Sequence, residues 1–172
     1  MSYFSLFNIA EQYNVDIQQL SRTYQRLQKM THPDQVSNAS EQQKRLYMQK
    51  NTQVNDAYEV LKDPIKRGEH LLKLRGVILP NEQETLGDVD FLMTQMSLRE
   101  ALHTAEDEEQ LTLLLSSTQK QVSERITRIN DLFNQENTSS NKEAAEELTK
   151  LKFLVKLQTE TETKLDTLLD DE

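Results

Sequence analysis

His32 and Asp34 stand two residues apart across Pro33, and a histidine beside a carboxylate is the pairing that general acid-base catalysis uses. Catalysis would also need both groups to converge on a substrate, with a nucleophile or a metal at hand. The chain has no cysteine, and its other histidines, His70 and His103, are scattered along it. The tripeptide therefore reads as something other than an active site. Pro33 stiffens a bend on which His32 and Asp34 can exchange hydrogen bonds with a partner. Just before it come Arg22, Arg26 and Lys29, in a chain whose formal net charge is -9. Cations beside a rigid bend in an acidic protein point to a docking surface rather than an active site.

That surface has to be carried by helices. Ile17, Leu20, Tyr24 and Leu27 recur at steps of three and four, which places them on one side of a helix facing a core. Asp16 can cap its start, with Gln19 completing a capping-box pattern. Arg22, Arg26 and Lys29 then fall opposite the apolar stripe and face solvent. Pro33 lacks a backbone N–H and pushes His32 out of the helical region, so the helix ends there. Ser40 to Gln43 reads as a second capping box, and Tyr47, Val54, Tyr58 and Leu61 continue as the returning antiparallel helix. Asp63-Pro64 starts a further helix with Ile65, Leu71, Leu72 and Leu74, and Gly76 offers its C-terminal cap. Tyr3, Phe4, Leu6, Phe7 and Ile9 can form a short helix against the hairpin base. Four helices are expected in about 75 residues. His70 is expected to pack inside or cap its own helix, and His103 to face solvent.

Charge and helix breakers divide the chain. Residues 1–75 hold 11 Lys and Arg against 8 Asp and Glu, and residues 76–172 hold 9 against 21. Such asymmetry suggests two modules with different partners. All glycines (68, 76, 87) and all prolines (33, 64, 80) lie before residue 88, so the rest should be helical throughout. The expected division is a helical hairpin domain over 1–75, a linker over 76–87 and an antiparallel three-helix bundle over 88–172, an all-α chain. Val77, Ile78 and Leu79 are apolar enough to pin the linker to a surface. In the bundle, Leu111, Leu115, Thr118, Val122, Ile126, Ile129 and Phe133 make one stripe, and Leu148, Leu151, Val155, Leu165 and Leu169 another. Asn134 to Asn141 is polar turn material between them. Nucleic acid is not an expected partner, because aromatics are not interleaved with the basic stripe. No run of about 18 apolar residues could span a bilayer, and the start lacks a signal-peptide pattern, so a cytoplasmic protein is expected. No cofactor is expected, and the chain is expected to be a monomer.

The third bundle helix has two apolar sides. Phe91, Leu98, Leu102 and Ala105 share the face that packs on the long pair, whereas Leu92, Met93 and Met96 lie on roughly the opposite face with Glu100. Either another part of the chain covers that face, or it receives a partner, for which flexible methionines are suited. Phe153 likewise falls off the stripe of its own helix.

The chain resembles the J-domain co-chaperones, defined by a His-Pro-Asp tripeptide between two antiparallel helices, and more narrowly the HscB family of iron-sulfur cluster assembly. Tyr3-Phe4, Leu6-Phe7, His32-Pro33-Asp34, Asp63-Pro64, Phe91-Leu92-Met93, Leu98-Arg99-Glu100 and Lys152-Phe153-Leu154 carry the resemblance across the whole length. It implies that His32, Pro33 and Asp34, with Arg22, Arg26 and Lys29, engage a DnaK-like ATPase chaperone of the HscA type. It implies also that Leu92, Met93, Met96, Glu100 and Phe153 bind an iron-sulfur scaffold protein of the IscU type. Gln35 stands where many J-domains have a basic residue, and Ser97 and Thr104 where the family often has acids. A helical adaptor with a coincidental tripeptide, or a J-protein with another client, is the competing expectation.

Overall fold

The computed structural model describes residues 2–81 and 88–170 and is built of α-helices throughout. The chain divides into two compact units, 1–76 and 77–172. The expected linker over 76–87 is described only as far as Asn81; its remainder, including Gly87, lies outside the described residues.

In the first unit, α1 (Tyr3–Leu6) leads through an irregular segment to α2 (Ile17–Thr31), a 3₁₀ turn (Pro33–Val36), α3 (Glu41–Lys62) and α4 (Pro64–Leu74). The caps follow the sequence. Asp16 accepts the Gln19 N–H at 3.0 Å, Ser40 that of Gln43, and Asp63 those of Ile65 and Lys66. Gly76 closes α4 at φ +72°, a backbone conformation that an L side chain resists. Phe4, Phe7, Leu20, Val54, Ala57, Leu61, Leu71 and Leu72 fill the core between the hairpin, α1 and α4. Ile17 departs from the expected stripe and is exposed, because it begins the helix where the neighbouring elements no longer cover it. Leu74, at the other end of the unit, is exposed in the same way.

Two core residues belong to no periodic pattern. Tyr13, in the irregular segment, is buried, and burial pushes its phenol up to about 12. Arg67, also buried, donates from Nε to the Tyr13 carbonyl at 2.6 Å and from a terminal nitrogen to the Leu61 carbonyl at 2.7 Å, with its guanidinium over the Tyr13 ring. One cation thus ties the segment before α2 to the end of α3. Burial lowers the pKa of that guanidinium, yet an arginine stays charged.

In the second unit, α5 (Val89–Thr104), α6 (Glu108–Asn134) and α7 (Thr138–Asp170) form a three-helix bundle. The turn between the long helices is tighter than Asn134 to Asn141. Asn137 Oδ1 accepts the Ser140 N–H at 2.8 Å, and Ser140 Oγ lies 3.3 Å from the Asn137 N–H, a reciprocal capping arrangement that starts α7 at once. Ser140 and Asn141 are consequently buried helix residues. Glu136 makes the reversal at φ +52°. Leu169 of the expected stripe is exposed, since α7 runs on past the start of α6. Ile78 is almost wholly exposed at 92%, so the apolar segment after Gly76 is not anchored through it.

His70 caps a helix other than its own. Its Nε2 accepts the N–H of Tyr3, the first residue of α1, at 3.1 Å, and its ring stacks on Tyr3 and Phe4. Burial, with Lys73 adding to it, holds this imidazole below its ordinary 6.5. The unfolded chain therefore protonates first: the stability from neutral His70 is complete above pH 6.5 and is lost as pH falls through the folded value. All five tyrosines lie in the first unit and the chain has no tryptophan, so tyrosine emission reports that unit alone. Urea denaturation followed this way should show a lower midpoint at about pH 5.5 than at about pH 7.5. His70→Gln, which keeps an acceptor but cannot titrate, should show a smaller drop.

Candidate functional site

Two surfaces carry the sequence-predicted residues, one on each unit. On the first, α2 stops at His32, whose backbone is extended (φ -65°, ψ 137°), and the 3₁₀ turn begins at Pro33. His32, Pro33, Asp34 and Gln35 are all exposed, as are Arg22, Arg26 and Lys29 on the outer face of α2. Lys29 sits in the last turn, where a cation also suits the helix dipole. His32 Nδ1 accepts the Asp34 N–H at 3.2 Å and lies 3.4 Å from Asp34 Oδ2. The Asp34 carboxylate itself is 90% exposed.

What fixes this surface is a polar ladder between α2 and α3. Tyr24 Oη donates to Asn55 Oδ1 at 2.9 Å, Asn55 Nδ2 to Asn51 Oδ1 at 3.3 Å, Asn51 Nδ2 to Thr31 Oγ1 at 3.1 Å, and Thr31 Oγ1 to the Leu27 carbonyl at 2.9 Å. The ladder ends one residue before His32. Tyr24 also stacks flat on Tyr58, with centroids 4.0 Å apart. Sequence reasoning recognised the tyrosines as apolar core and passed over Asn51 and Asn55. Their spacing of four, on the face that already holds Tyr58, was the available signal.

On the second unit α5 runs parallel to α7 in a fixed register. Asp88 receives Lys150 at 2.9 Å, Phe91 meets Phe153 edge to face with centroids at 5.8 Å, Arg99 pairs with Glu160, and Lys164 donates to the Leu102 carbonyl at 2.7 Å. Asp88 caps α5 as well, and the Lys150 ammonium, ahead of the Phe91 N–H, holds its carboxyl below the ordinary range. With the Phe91 side of α5 so engaged, Met93 and Met96 are left 64% and 65% exposed, Glu100 exposed and Leu92 half-buried. These four occupy an arc of about 100° on the helix. Ser97 and Thr104 are exposed on the same helix, and Thr104 turns its hydroxyl back to the Glu100 carbonyl. Phe153 is not on that open face but at its margin: half-buried, it packs on Phe91 and lies under the Arg99 guanidinium at 5.3 Å. His103 is exposed.

An ion cluster missed in the sequence braces α6 against α7. Glu147 is buried and pairs with Arg125, with Lys150 at 3.5 Å and with Arg128 at 3.9 Å, while Arg128 also pairs with Glu143. Lys150 is shared between Glu147 and Asp88, which links the brace to the start of α5. Among the described residues no group of carboxylates and histidines is placed to hold a metal ion, and no helix is long and apolar enough to cross a membrane.

An exposed His-Pro-Asp turn between antiparallel helices, with a cationic helix face beside it, defines a J-domain co-chaperone, whose partner is a DnaK-type chaperone. Residues 2–70 match the DnaJ domain family, and residues 87–162 the family described as the HSCB C-terminal oligomerisation domain. With the two families matched in tandem, the chain belongs to the HscB co-chaperones, J-proteins of iron-sulfur cluster assembly. It is 45% identical to a co-chaperone protein HscB homolog of Pseudoalteromonas atlantica, over 99% of each chain. A homolog of the same description from Colwellia psychrerythraea is 42% identical over 99% of this chain and all of the relative. Among solved structures, the chaperone HscB of Vibrio cholerae superposes with a TM-score of 0.88 at 35% identity, covering 98% of this chain and 99% of its own. Human co-chaperone protein HscB gives 0.89 at 32% identity, covering 95% of this chain and 82% of its own.

Removing the ladder should loosen the end of α2. Asn51→Ala deletes one donor and one acceptor from a partly buried chain, and should cost the first unit about 1–2 kcal/mol. Urea denaturation followed by tyrosine emission measures it.

Proposed function

We propose that the chain bridges two proteins. The first unit docks a DnaK-like ATPase chaperone of the HscA type through His32, Pro33, Asp34 and the cations Arg22, Arg26 and Lys29, and stimulates its ATP hydrolysis. The second unit holds an iron-sulfur scaffold of the IscU type on Leu92, Met93, Met96, Glu100 and Phe153. The chain performs no catalysis itself and works in the bacterial cytoplasm. Holding both partners raises the effective concentration of one beside the other, so that ATP turnover accompanies loading.

The observation that carries the first half is the exposure of the whole tripeptide beside three exposed cations on a helix fixed at its C-terminal end. For the second half it is two methionines exposed by almost two-thirds on a helix whose Phe91 side packs on α7. Large apolar side chains left in water in this way suit an adaptable contact. The charge balance, positive in the first 75 residues and strongly negative after them, fits two partners of different character.

Asp34→Asn should keep its circular dichroism and lose about tenfold or more of the chaperone ATPase stimulation, because a charge-assisted contact is removed. Undiminished stimulation would refute the docking role. Leu92→Ala with Met96→Ala should weaken scaffold binding about 30-fold or more by calorimetry, since each truncation removes about 1 kcal/mol or more of contact. Stimulation in the absence of scaffold should stay at the wild-type level.

A further inference from the structure

His32 Nδ1 has two neighbours that make opposite demands. The Asp34 N–H at 3.2 Å needs a lone pair on that nitrogen, whereas Asp34 Oδ2 at 3.4 Å would be attracted only to a proton there. One nitrogen cannot serve both. The N–H is held in place by the backbone of the Pro33–Val36 turn, in which the Gln35 N–H also donates to the His32 carbonyl at 3.0 Å. The carboxylate is 90% exposed and can rotate into water at little cost. The lone pair therefore belongs on Nδ1, and a neutral imidazole then carries its proton on Nε2.

The position of His32 explains why a ring nitrogen is needed there. Pro33 has no N–H, so the Asp34 N–H is the first donor of the turn that requires a partner. Asn and Asp meet this demand at ordinary helix starts through a side-chain acceptor about three bonds from Cα, and Nδ1 lies at that same reach in histidine. Histidine adds what those residues lack: a second polar atom on the far side of a rigid ring. That ring is half exposed.

Resting on the docking role given above, we propose that the two nitrogens of His32 have separate tasks. Nδ1 caps the turn and so positions Asp34, and Nε2–H is the donor offered to the chaperone. The matching chaperone surface presents an acceptor oxygen to Nε2–H and a donor to the Asp34 carboxylate, with acidic groups opposite Arg22, Arg26 and Lys29. His32 is on this account both a contact and a positioning residue, and the two roles separate by atom.

Two substitutions divide the atoms. His32→Asn places an acceptor oxygen where Nδ1 was and has nothing at the distance of Nε2; His32→Gln reaches toward Nε2 and leaves the capping position empty. Imidazole nitrogen resonances of the 15N-labelled full-length chain near neutral pH should show the Nε2–H tautomer, and the Nδ1–H tautomer would overturn the proposal. Amide exchange at Asp34 should be within about twofold of wild type in His32→Asn and about three- to tenfold faster in His32→Gln, the effect of one ordinary hydrogen bond. Equal exchange in all three proteins would overturn the cap. In ATPase stimulation, His32→Asn should fall about tenfold or more although its turn is intact, and full stimulation by that variant would overturn the donor role. The resonance and exchange measurements need no chaperone. A wild-type chain that passes both yet stimulates no DnaK-like ATPase would refute the docking role and leave the cap standing.

Discussion

The first unit depends on where α2 stops. A helix that ran one turn further would carry His32 and Asp34 around its axis and bury or scatter the groups now displayed together. Pro33 ends it covalently, by withholding an N–H and by forcing the preceding residue into extended backbone. A covalent stop fixes the residue number at which the helix ends, but not its place in space. That is set by the ladder from Tyr24 through Asn55 and Asn51 to Thr31, which fastens the last turn of α2 to α3. Hydrogen bonds suit this task better than apolar contact, because their directionality fixes rotation about the helix axis as well as distance. The rotation decides that Arg22, Arg26 and Lys29 look outward beside the turn.

The second unit achieves its register by charge. Its apolar stripes are long, and length alone does not stop one helix from sliding along another. Glu147 among Arg125, Arg128 and Lys150, Asp88 on Lys150, and Arg99 on Glu160 permit one register only. Isolated surface pairs of this kind contribute little stability, but a buried carboxylate that lost its cations would be costly. The consequence for function is geometric. With the Phe91 side of α5 packed on α7, Met93, Met96 and Glu100 form an open face, and Leu92 is half-buried at its edge. Phe153 sits at the seam, where Phe91 and Arg99 hold its ring.

Much of this could be read from the chain. Helix starts were legible because a capping side chain and the N–H it serves are three residues apart: Asp16, Ser40 and Asp63 all cap as local rules require. The turn at Asn137 is shorter than the polar stretch from Asn134 to Asn141 suggests, because Asn and Ser suit loops and caps equally and here they cap α7. Ile17 and Leu169 followed the apolar period yet lie exposed at helix ends, since periodicity records which side of a helix is apolar and not how far its neighbour extends. Arg67 and Tyr13 carried no pattern, because each has its meaning only through the other across 54 residues.

The sequence by itself determined the all-α class, the helix order, the stop at Pro33 and which residue types face outward beside it, because these follow from backbone chemistry and from spacings of three and four. Tertiary structure alone decided that His70 caps α1, that Asn51 anchors the end of α2, that α5 lies parallel to α7, and that Phe153 is clamped rather than free. Each of these joins groups 20 or more residues apart. Contacts at such separation depend on how whole helices pack, and a linear pattern carries no distance between one helix and another.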